Sequence, residues 1–384
     1  MMSAKLFKAS EAVLRVERTS LRVQQPASSS DMISLAMGEP DFDTPPRIVQ
    51  AAVAALQHGY THYAPLLGDK ALCQALADDV SSRSGMPVKQ GEVLVTHGGT
   101  AGLAAAILSI VNPGDRVVIP DPTYSLYADL VNMAGGICIP MPCRSDLHWD
   151  VDRLDKALDG AKLFVFCNPG NPTGIVHSRE EIEALGNLVN KHNNLVIADE
   201  AYSDLVFTDR PFTSVLQVAA FAGRTLFCQT FSKSYAMTGW RVGYLTGPVE
   251  MIAAAARVHN SVNGSVNSAV QRAALVALTQ CKSDVKRMYD IYRERRQLMM
   301  EGLYAIPELS LNEPEGAFYC FPSYSLPIPA IDMVALLREQ GIAVRPGSEF
   351  GAAGERHLRL SYAASHEAII EGVRRLKRAL AGLN

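Results

Sequence analysis

Thr225-Leu226-Phe227-Cys228-Gln229-Thr230-Phe231-Ser232-Lys233-Ser234-Tyr235-Ala236-Met237-Thr238-Gly239-Trp240-Arg241-Val242-Gly243 runs from a short apolar stretch into one lysine set among hydroxyls, an aromatic and small residues. The next basic residue, Arg241, lies eight positions on. A lysine at a strand end, partly desolvated, can lose its proton and form a Schiff base with an aldehyde. The alternative for a lone lysine is a solvated loop position. Apolar runs of the same kind recur at 93–95, 117–119, 137–139, 163–166, 195–198, 225–228 and 242–245. Most are continuously apolar, as strands buried on both faces should be, and segments such as 179–190 supply helices between them. The pattern predicts an α/β domain: a mostly parallel, seven-stranded sheet covered by helices.

From Val285 the apolar period changes. Val285, Met288, Tyr289, Tyr292, Met299 and Leu303 follow helical spacing, with Lys286, Arg287, Arg293 and Glu294 on other faces. Beyond this long amphipathic helix come an apolar stretch at 317–321, a helix near 333–339, short runs at 342–344 and 358–361, and a final helix from His366. These predict a smaller α+β domain. The expected division is an N-terminal segment, 1–46, contributing to the small domain and to a dimer, a large domain over 47–284 and a small C-terminal domain over 285–384. The Ser28-Ser29-Ser30 run reads as a short loop.

At 384 residues and 48% hydrophobic content the chain can bury a large core in two lobes. A formal net charge of −3, with no basic run or aromatic-basic interleaving, argues against nucleic acid or an anionic membrane as partner. The longest small-apolar stretch, 101–111, is too short to span a bilayer. The N-terminus, with Lys5, Lys8 and Arg15 beside Glu11 and Glu17, lacks the apolar block of a signal peptide. Seven dispersed cysteines without a CxxC pair read as reduced thiols and a cytoplasmic location. The nine histidines show no metal-binding spacing, so no metal is expected.

In open α/β sheets, ligands bind beyond the carboxyl ends of the strands, and the unusual polar residues cluster there. His97-Gly98-Gly99-Thr100 leads into the helical run Ala101-Gly102-Leu103-Ala104-Ala105. Such glycines let backbone amides approach a phosphate at a helix N-terminus, although an ordinary strand-to-helix turn has the same look. Cys167-Asn168-Pro169-Gly170-Asn171-Pro172-Thr173-Gly174 imposes a rigid path and places two amide side chains close together. Asp199, followed by Glu200-Ala201-Tyr202, can hold a protonated ring nitrogen or cap a following helix.

Taken together with Gly38-Glu39-Pro40-Asp41-Phe42, Thr61-His62-Tyr63-Ala64, Gly316-Ala317-Phe318-Tyr319 and Arg359-Leu360-Ser361-Tyr362-Ala363, these segments resemble the class I/II pyridoxal-phosphate-dependent aminotransferases of fold type I. They stand in that family's order along nearly the whole chain. The resemblance implies pyridoxal 5'-phosphate as cofactor. Lys233 would carry it as a Schiff base and later shuttle the substrate Cα proton. Asp199 would pair with the pyridine nitrogen, and Asn171 and Tyr202 would hydrogen-bond the ring hydroxyl oxygen. Gly99, Thr100, Ala101, Ser232 and Arg241 would hold the phosphate, and Tyr124 would stack on the ring. Tyr63 would reach the phosphate of the neighbouring subunit, implying a homodimer with shared active sites. Arg359 would clamp the substrate α-carboxylate through its planar fork, assisted by Gly38 and Asn171. Other roles remain open at several positions: a surface ion pair for Arg359, a core aromatic for Tyr124, a structural neighbour for Glu200, packing for Trp240 and Phe318.

The implied reaction moves an amino group from an L-amino acid to a 2-oxo acid with ping-pong kinetics. A lyase, decarboxylase or oxidase on the same scaffold is the alternative, and a non-catalytic cofactor-binding domain a third. One departure bears on substrate. Some relatives acting on acidic amino acids carry lysine where this chain has Thr100, which cannot supply that charge. A neutral, aromatic or broad range of amino donors is therefore expected.

Overall fold

All seven apolar runs form strands of one sheet in the computed structural model, which describes residues 7–16 and 31–383. The serine run at 28–30 lies outside the described residues. The strands are Val93–Thr96 (β1), Arg116–Asp121 (β2), Ile137–Pro142 (β3), Leu163–Cys167 (β4), Leu195–Asp199 (β5), Thr225–Thr230 (β6) and Gly243–Thr246 (β7). Their spatial order is β1-β7-β6-β5-β4-β2-β3, and only β7 runs antiparallel to its neighbours.

The central strands β4 and β6 are buried along their whole length, which is why they read as unbroken apolar runs. On one face Phe164 and Phe166 of β4 pack with Leu185 and Val189 of the helix Arg179–His192. Each such fully buried ring contributes roughly 1.5–3 kcal/mol of transfer free energy. That helix starts at a capping box, in which Ser178 accepts from the Glu181 N–H and Glu181 from the Ser178 N–H. On the other face Leu103, Ala106 and Ile107 of the helix Gly98–Ile110 join Leu94, Val165 and Leu245 of the sheet. Burial on both faces does not extend to β3. It is an edge strand, and Ile137 at its start is half exposed.

The helix Lys282–Tyr304 buries Met288, Tyr292, Met299 and Leu303, with Lys286, Arg287, Arg293 and Glu294 exposed. Arg295, on the buried side, forms a two-pronged ion pair with Asp41 at 2.6 and 2.8 Å. Beyond it, Leu358–Ser361 pairs antiparallel with Tyr319–Cys320 and with Arg345–Pro346. The helices Ala330–Glu339 and His366–Ala381 belong to the same part of the chain. The strand Ile33–Ser34 adds in parallel to Ile342–Ala343, so residues 33–34 pack with the C-terminal part of the chain. Among the described residues no helix is long and apolar enough to cross a membrane. All seven cysteines are free thiols.

Candidate active site

Five strand ends supply one pocket of about 260 Å³. Lys233 arrives on a single helical turn, Phe231–Ser234, that follows β6 directly because the Thr230 hydroxyl accepts from the Ser232 N–H at 3.1 Å. Its Nζ donates to the Gly38 carbonyl at 2.6 Å and lies 5.8 Å from the centre of the Tyr202 ring. Gly38 is required to be small, since a Cβ there would run into the Tyr319 hydroxyl.

Asp199 ends β5 and is buried. Its Oδ2 accepts from the Tyr127 hydroxyl at 2.8 Å and its Oδ1 from the Ala201 N–H at 3.2 Å. No helix follows it, so the capping alternative does not arise. Burial pushes this carboxyl above its usual range, opposed by the Tyr127 hydrogen bond, the Ala201 N–H and the charge of Lys233. A cation brought into contact would favour the ionised form. Neighbouring Glu200 turns away: its carboxylate accepts from the Ser214 hydroxyl at 3.1 Å and the Val215 N–H at 3.0 Å, and burial pushes it up to about 8.

Arg359 is a buried cation and not a surface ion pair. Its Nη1 donates to Asn171 Oδ1 at 3.1 Å and its Nη2 to the Ala36 carbonyl at 2.7 Å, while its guanidinium lies 4.4 Å from the centre of the Tyr319 ring. Its Nε is buried without a hydrogen-bond partner. Burial lowers its pKa, opposed by Tyr319, Tyr202 and Glu349, but a guanidinium stays charged in any such setting. A buried, incompletely bonded fork is suited to a carboxylate.

At the other end of the pocket Gly99 and Thr100 open the helix Gly98–Ile110, and Ser232 and Arg241 face them. Gly98 has φ +76°, and a Cβ on it would sit 2.7 Å from Arg241 Nη2, so guanidinium and turn come close only through glycine. Orphan N–H groups, a hydroxyl and an arginine together make an anion cradle. Tyr124 lines the pocket between the two ends. A buried carboxylate, an amine, an anion cradle and a second anion-binding arginine fit pyridoxal phosphate carrying an amino acid. Ala101 follows Thr100 in the helix but does not line the pocket, and Tyr63 lies outside it, 97% exposed.

Tyr319, which lines the pocket, and Tyr127, which is buried and meets the pocket through Asp199, had no role assigned from the sequence. Tyr127 donates to Asp199 and packs edge-on to Tyr124 with ring centres 5.6 Å apart. Tyr319 exchanges a hydrogen bond with Tyr202, hydroxyl to hydroxyl at 2.9 Å, and carries Arg359 on its ring. Tyr319 belongs to the Gly316–Tyr319 segment singled out above, whereas the only trace of Tyr127 is its position three residues after Tyr124.

This architecture and pocket define a fold type I enzyme dependent on pyridoxal phosphate, and comparison with known proteins agrees. The family model for aminotransferase class I and II matches residues 30–376, and the chain belongs to that family. It is 37% identical over 360 residues to a putative aminotransferase of Bacillus subtilis, with 92% of this chain and 93% of the relative covered. It is also 37% identical to the aspartate/prephenate aminotransferase of Thermus thermophilus over 358 residues, 91% of each chain. The aromatic aminotransferase of Pyrococcus horikoshii superposes with a TM-score of 0.88 at 33% identity, over 92% of this chain and 97% of the other. The protein is thus a pyridoxal-phosphate-dependent aminotransferase, moving amino groups between amino acids and 2-oxo acids.

Proposed function

We propose that Lys233 carries the cofactor and moves the substrate proton, that Asp199 holds the ring nitrogen, and that Arg359 clamps the α-carboxylate. The observation that carries this reading is the convergence of Lys233, buried Asp199 and Asn171 on one pocket, with Arg359 bonded to Asn171 and lying on the ring of Tyr319, both of which line it. When bound, pyridoxal phosphate supplies an aldehyde that condenses with amines and a ring that accepts electrons from the substrate Cα. Lys233 Nζ, once freed by an incoming amino acid, would be the base that takes the Cα proton and delivers it to the former aldehyde carbon of the cofactor. Burial raises the Asp199 carboxyl, while the Tyr127 hydroxyl, the Ala201 N–H and Lys233 favour its charged form, the one that would pair with a protonated ring nitrogen. Tyr202, whose hydroxyl burial and Tyr319 keep neutral, is a hydrogen-bond donor to the ring oxygen, and Asn171 orients both that oxygen and Arg359. Tyr124 stacks on the ring. Gly99, Thr100, Ser232 and Arg241, which line the pocket, hold the phosphate, Ala101 contributing only as the next residue of the same helical turn, and Gly38 leaves room for the Tyr319 hydroxyl beside the Arg359 clamp. Borohydride reduction of the holoenzyme followed by peptide mapping should find the cofactor on Lys233. Attachment to any other lysine would overturn the assignment.

The working molecule in this reading is a cytoplasmic homodimer of two-lobed chains, with lobes 47–284 and 285–384 and the first 46 residues bridging lobe and partner. Support for the dimer comes from an exposed apolar surface: Val49, Val53 and Leu56 line one face of the helix Pro46–Gln57, and Tyr63 and Leu66 follow. Patches of this kind mark interfaces. Tyr63 then serves the partner's phosphate site. Mixing Tyr63→Phe with Lys233→Ala subunits would leave one site of the hybrid intact. Activity no higher than either parent, with exchange verified, would refute sharing.

For substrate, the reading is a neutral, aromatic or broad donor range. Met37, Leu103 and Tyr124 line the pocket, and Thr100 offers no cation. The Pyrococcus relative named for aromatic substrates supports it. The name of the Thermus relative favours acidic donors as a second reading. Comparing kcat/KM for acidic, aromatic and aliphatic donors, each with several 2-oxo acids, separates the two.

A further inference from the structure

Away from the pocket, two histidines and a glutamate converge. His148 Nδ1 lies 2.8 Å from Glu181 Oε1, and His177 Nδ1 lies 3.5 Å from the same oxygen. The three donor atoms are all within 4.8 Å of one another. We propose that His148, His177 and Glu181 form a binding site for a borderline divalent transition metal such as Zn²⁺ or Co²⁺.

Each ligand is held in place by something else. His177 is only 6% exposed, its ring stacked on Trp149 at 3.5 Å between centres, and Trp149 is wedged edge-on against Phe164 and Phe166. Its Nδ1 is buried with no hydrogen-bond partner, and it points into the cluster. That nitrogen lies 3.5 Å from Glu181 Oε1 without making a hydrogen bond to it, whereas buried polar atoms are nearly always bonded. Glu181 Oε2 is occupied by the Ser178 N–H at 2.8 Å, which fixes the carboxylate with Oε1 towards the histidines. His148 is presented by a tight turn in which Asp146 accepts from its backbone N–H at 3.1 Å and Arg144 donates to Asp146.

The geometry suits a small tetrahedral ion. Bonds of about 2.0–2.1 Å at tetrahedral angles put donor atoms roughly 3.3 Å apart; two of the three separations, 2.8 and 3.5 Å, bracket that spacing, and the third is within 4.8 Å. Two imidazoles and one carboxylate favour Zn²⁺, Co²⁺ or Ni²⁺ over Mg²⁺ or Ca²⁺, which prefer all-oxygen shells. The pattern escapes sequence inspection because His148 comes from a turn 29 positions before His177, outside any compact motif. Such an ion would tie the 144–149 turn to the start of the helix Arg179–His192. The His177 N–H donates to Asn168 Oδ1 at 3.0 Å, so the clamp would sit at the far end of the loop that carries Asn171.

The test titrates chelator-treated holoenzyme with CoCl₂ while following the visible absorption of tetrahedral cobalt, then displaces it with ZnCl₂. One Co²⁺ per chain is expected. His148→Ala, which changes a partly exposed turn residue, and Glu181→Gln should each weaken binding at least tenfold. His58→Ala, an exposed control, should leave it unchanged. Zn²⁺ should raise Tm in the unsubstituted protein and not in His148→Ala. Absence of a one-per-chain cobalt signal, or equal affinity in His148→Ala and the unsubstituted protein, would overturn the proposal.

Discussion

Replacing Arg359 by lysine tests the carboxylate clamp most directly, because it keeps the charge and removes the fork. Arg359 uses Nη1 on Asn171 and Nη2 on the Ala36 carbonyl, which aims the plane of the guanidinium and leaves Nε unbonded. A lysine ammonium has three donors on one atom and cannot bond Asn171, the Ala36 carbonyl and both carboxylate oxygens in that geometry. The loss is at least one charge-assisted hydrogen bond to substrate, worth about 1.5–3 kcal/mol, or roughly 13- to 160-fold in kcat/KM. Every amino donor and every 2-oxo acid shares the α-carboxylate, so both half-reactions should fall by similar factors. A second consequence is separate. Leaving the Asn171 or Ala36 oxygen unpaired in a buried site costs about 1–3 kcal/mol of stability, so Tm should also drop. The assay is kcat/KM for an acidic, an aromatic and an aliphatic donor and for two 2-oxo acids, with cofactor content and Tm measured on the same samples. A loss confined to one side-chain class would place Arg359 in a specificity pocket. A loss under about threefold for all substrates would remove it from substrate binding, because a single charged hydrogen bond already exceeds that.

Asp199→Asn should retain cofactor yet lose most single-turnover activity, since an amide does not favour a protonated ring nitrogen; near-normal rates would dissociate Asp199 from the ring. Tyr127→Phe removes the 2.8 Å hydrogen bond that favours the ionised carboxylate, so the Asp199 pKa should rise and the acid limb of the kcat/KM profile should move to higher pH. An unshifted profile would mean that Tyr127 only packs. His259 accepts from the His97 N–H, just before the glycine turn, at 3.2 Å, and burial with help from His97 pushes it down to about 4 from an ordinary 6.5. The fold therefore favours its neutral form. That stability is complete above pH 6.5 and lost as pH falls towards 4, by at most about 3 kcal/mol. Thermal melts across that window should slope less in His259→Gln, whose amide oxygen can still accept from His97; equal slopes would refute the linkage.

What could be read from the chain follows from how locally each feature is encoded. A strand buried on both faces must be apolar at every position, so 163–166 and 195–198 announced themselves. The residues just beyond those runs then had to lie at one edge of the sheet, which placed Asn171, Asp199 and Lys233 together without knowledge of the packing. Strand order is a different matter. Nothing local in 137–139 distinguishes an edge strand from a central one, and its exposure came only with the topology. Tyr127 and Asp199 are 72 positions apart, and their hydrogen bond depends on how the helix Leu126–Met133 lies across the sheet. The same holds for Tyr319, 117 positions from Tyr202. The apolar face of Pro46–Gln57 shows a further limit. Ile48 and Ala55 are buried within the chain, yet Val49, Val53 and Leu56, at the same helical spacing, face outward. Periodicity marks a face as apolar, and only the tertiary arrangement decides whether its own chain or a second copy covers it. The Tyr63 assignment hangs on that second alternative, because a side chain 97% exposed in one chain can act only on a neighbour.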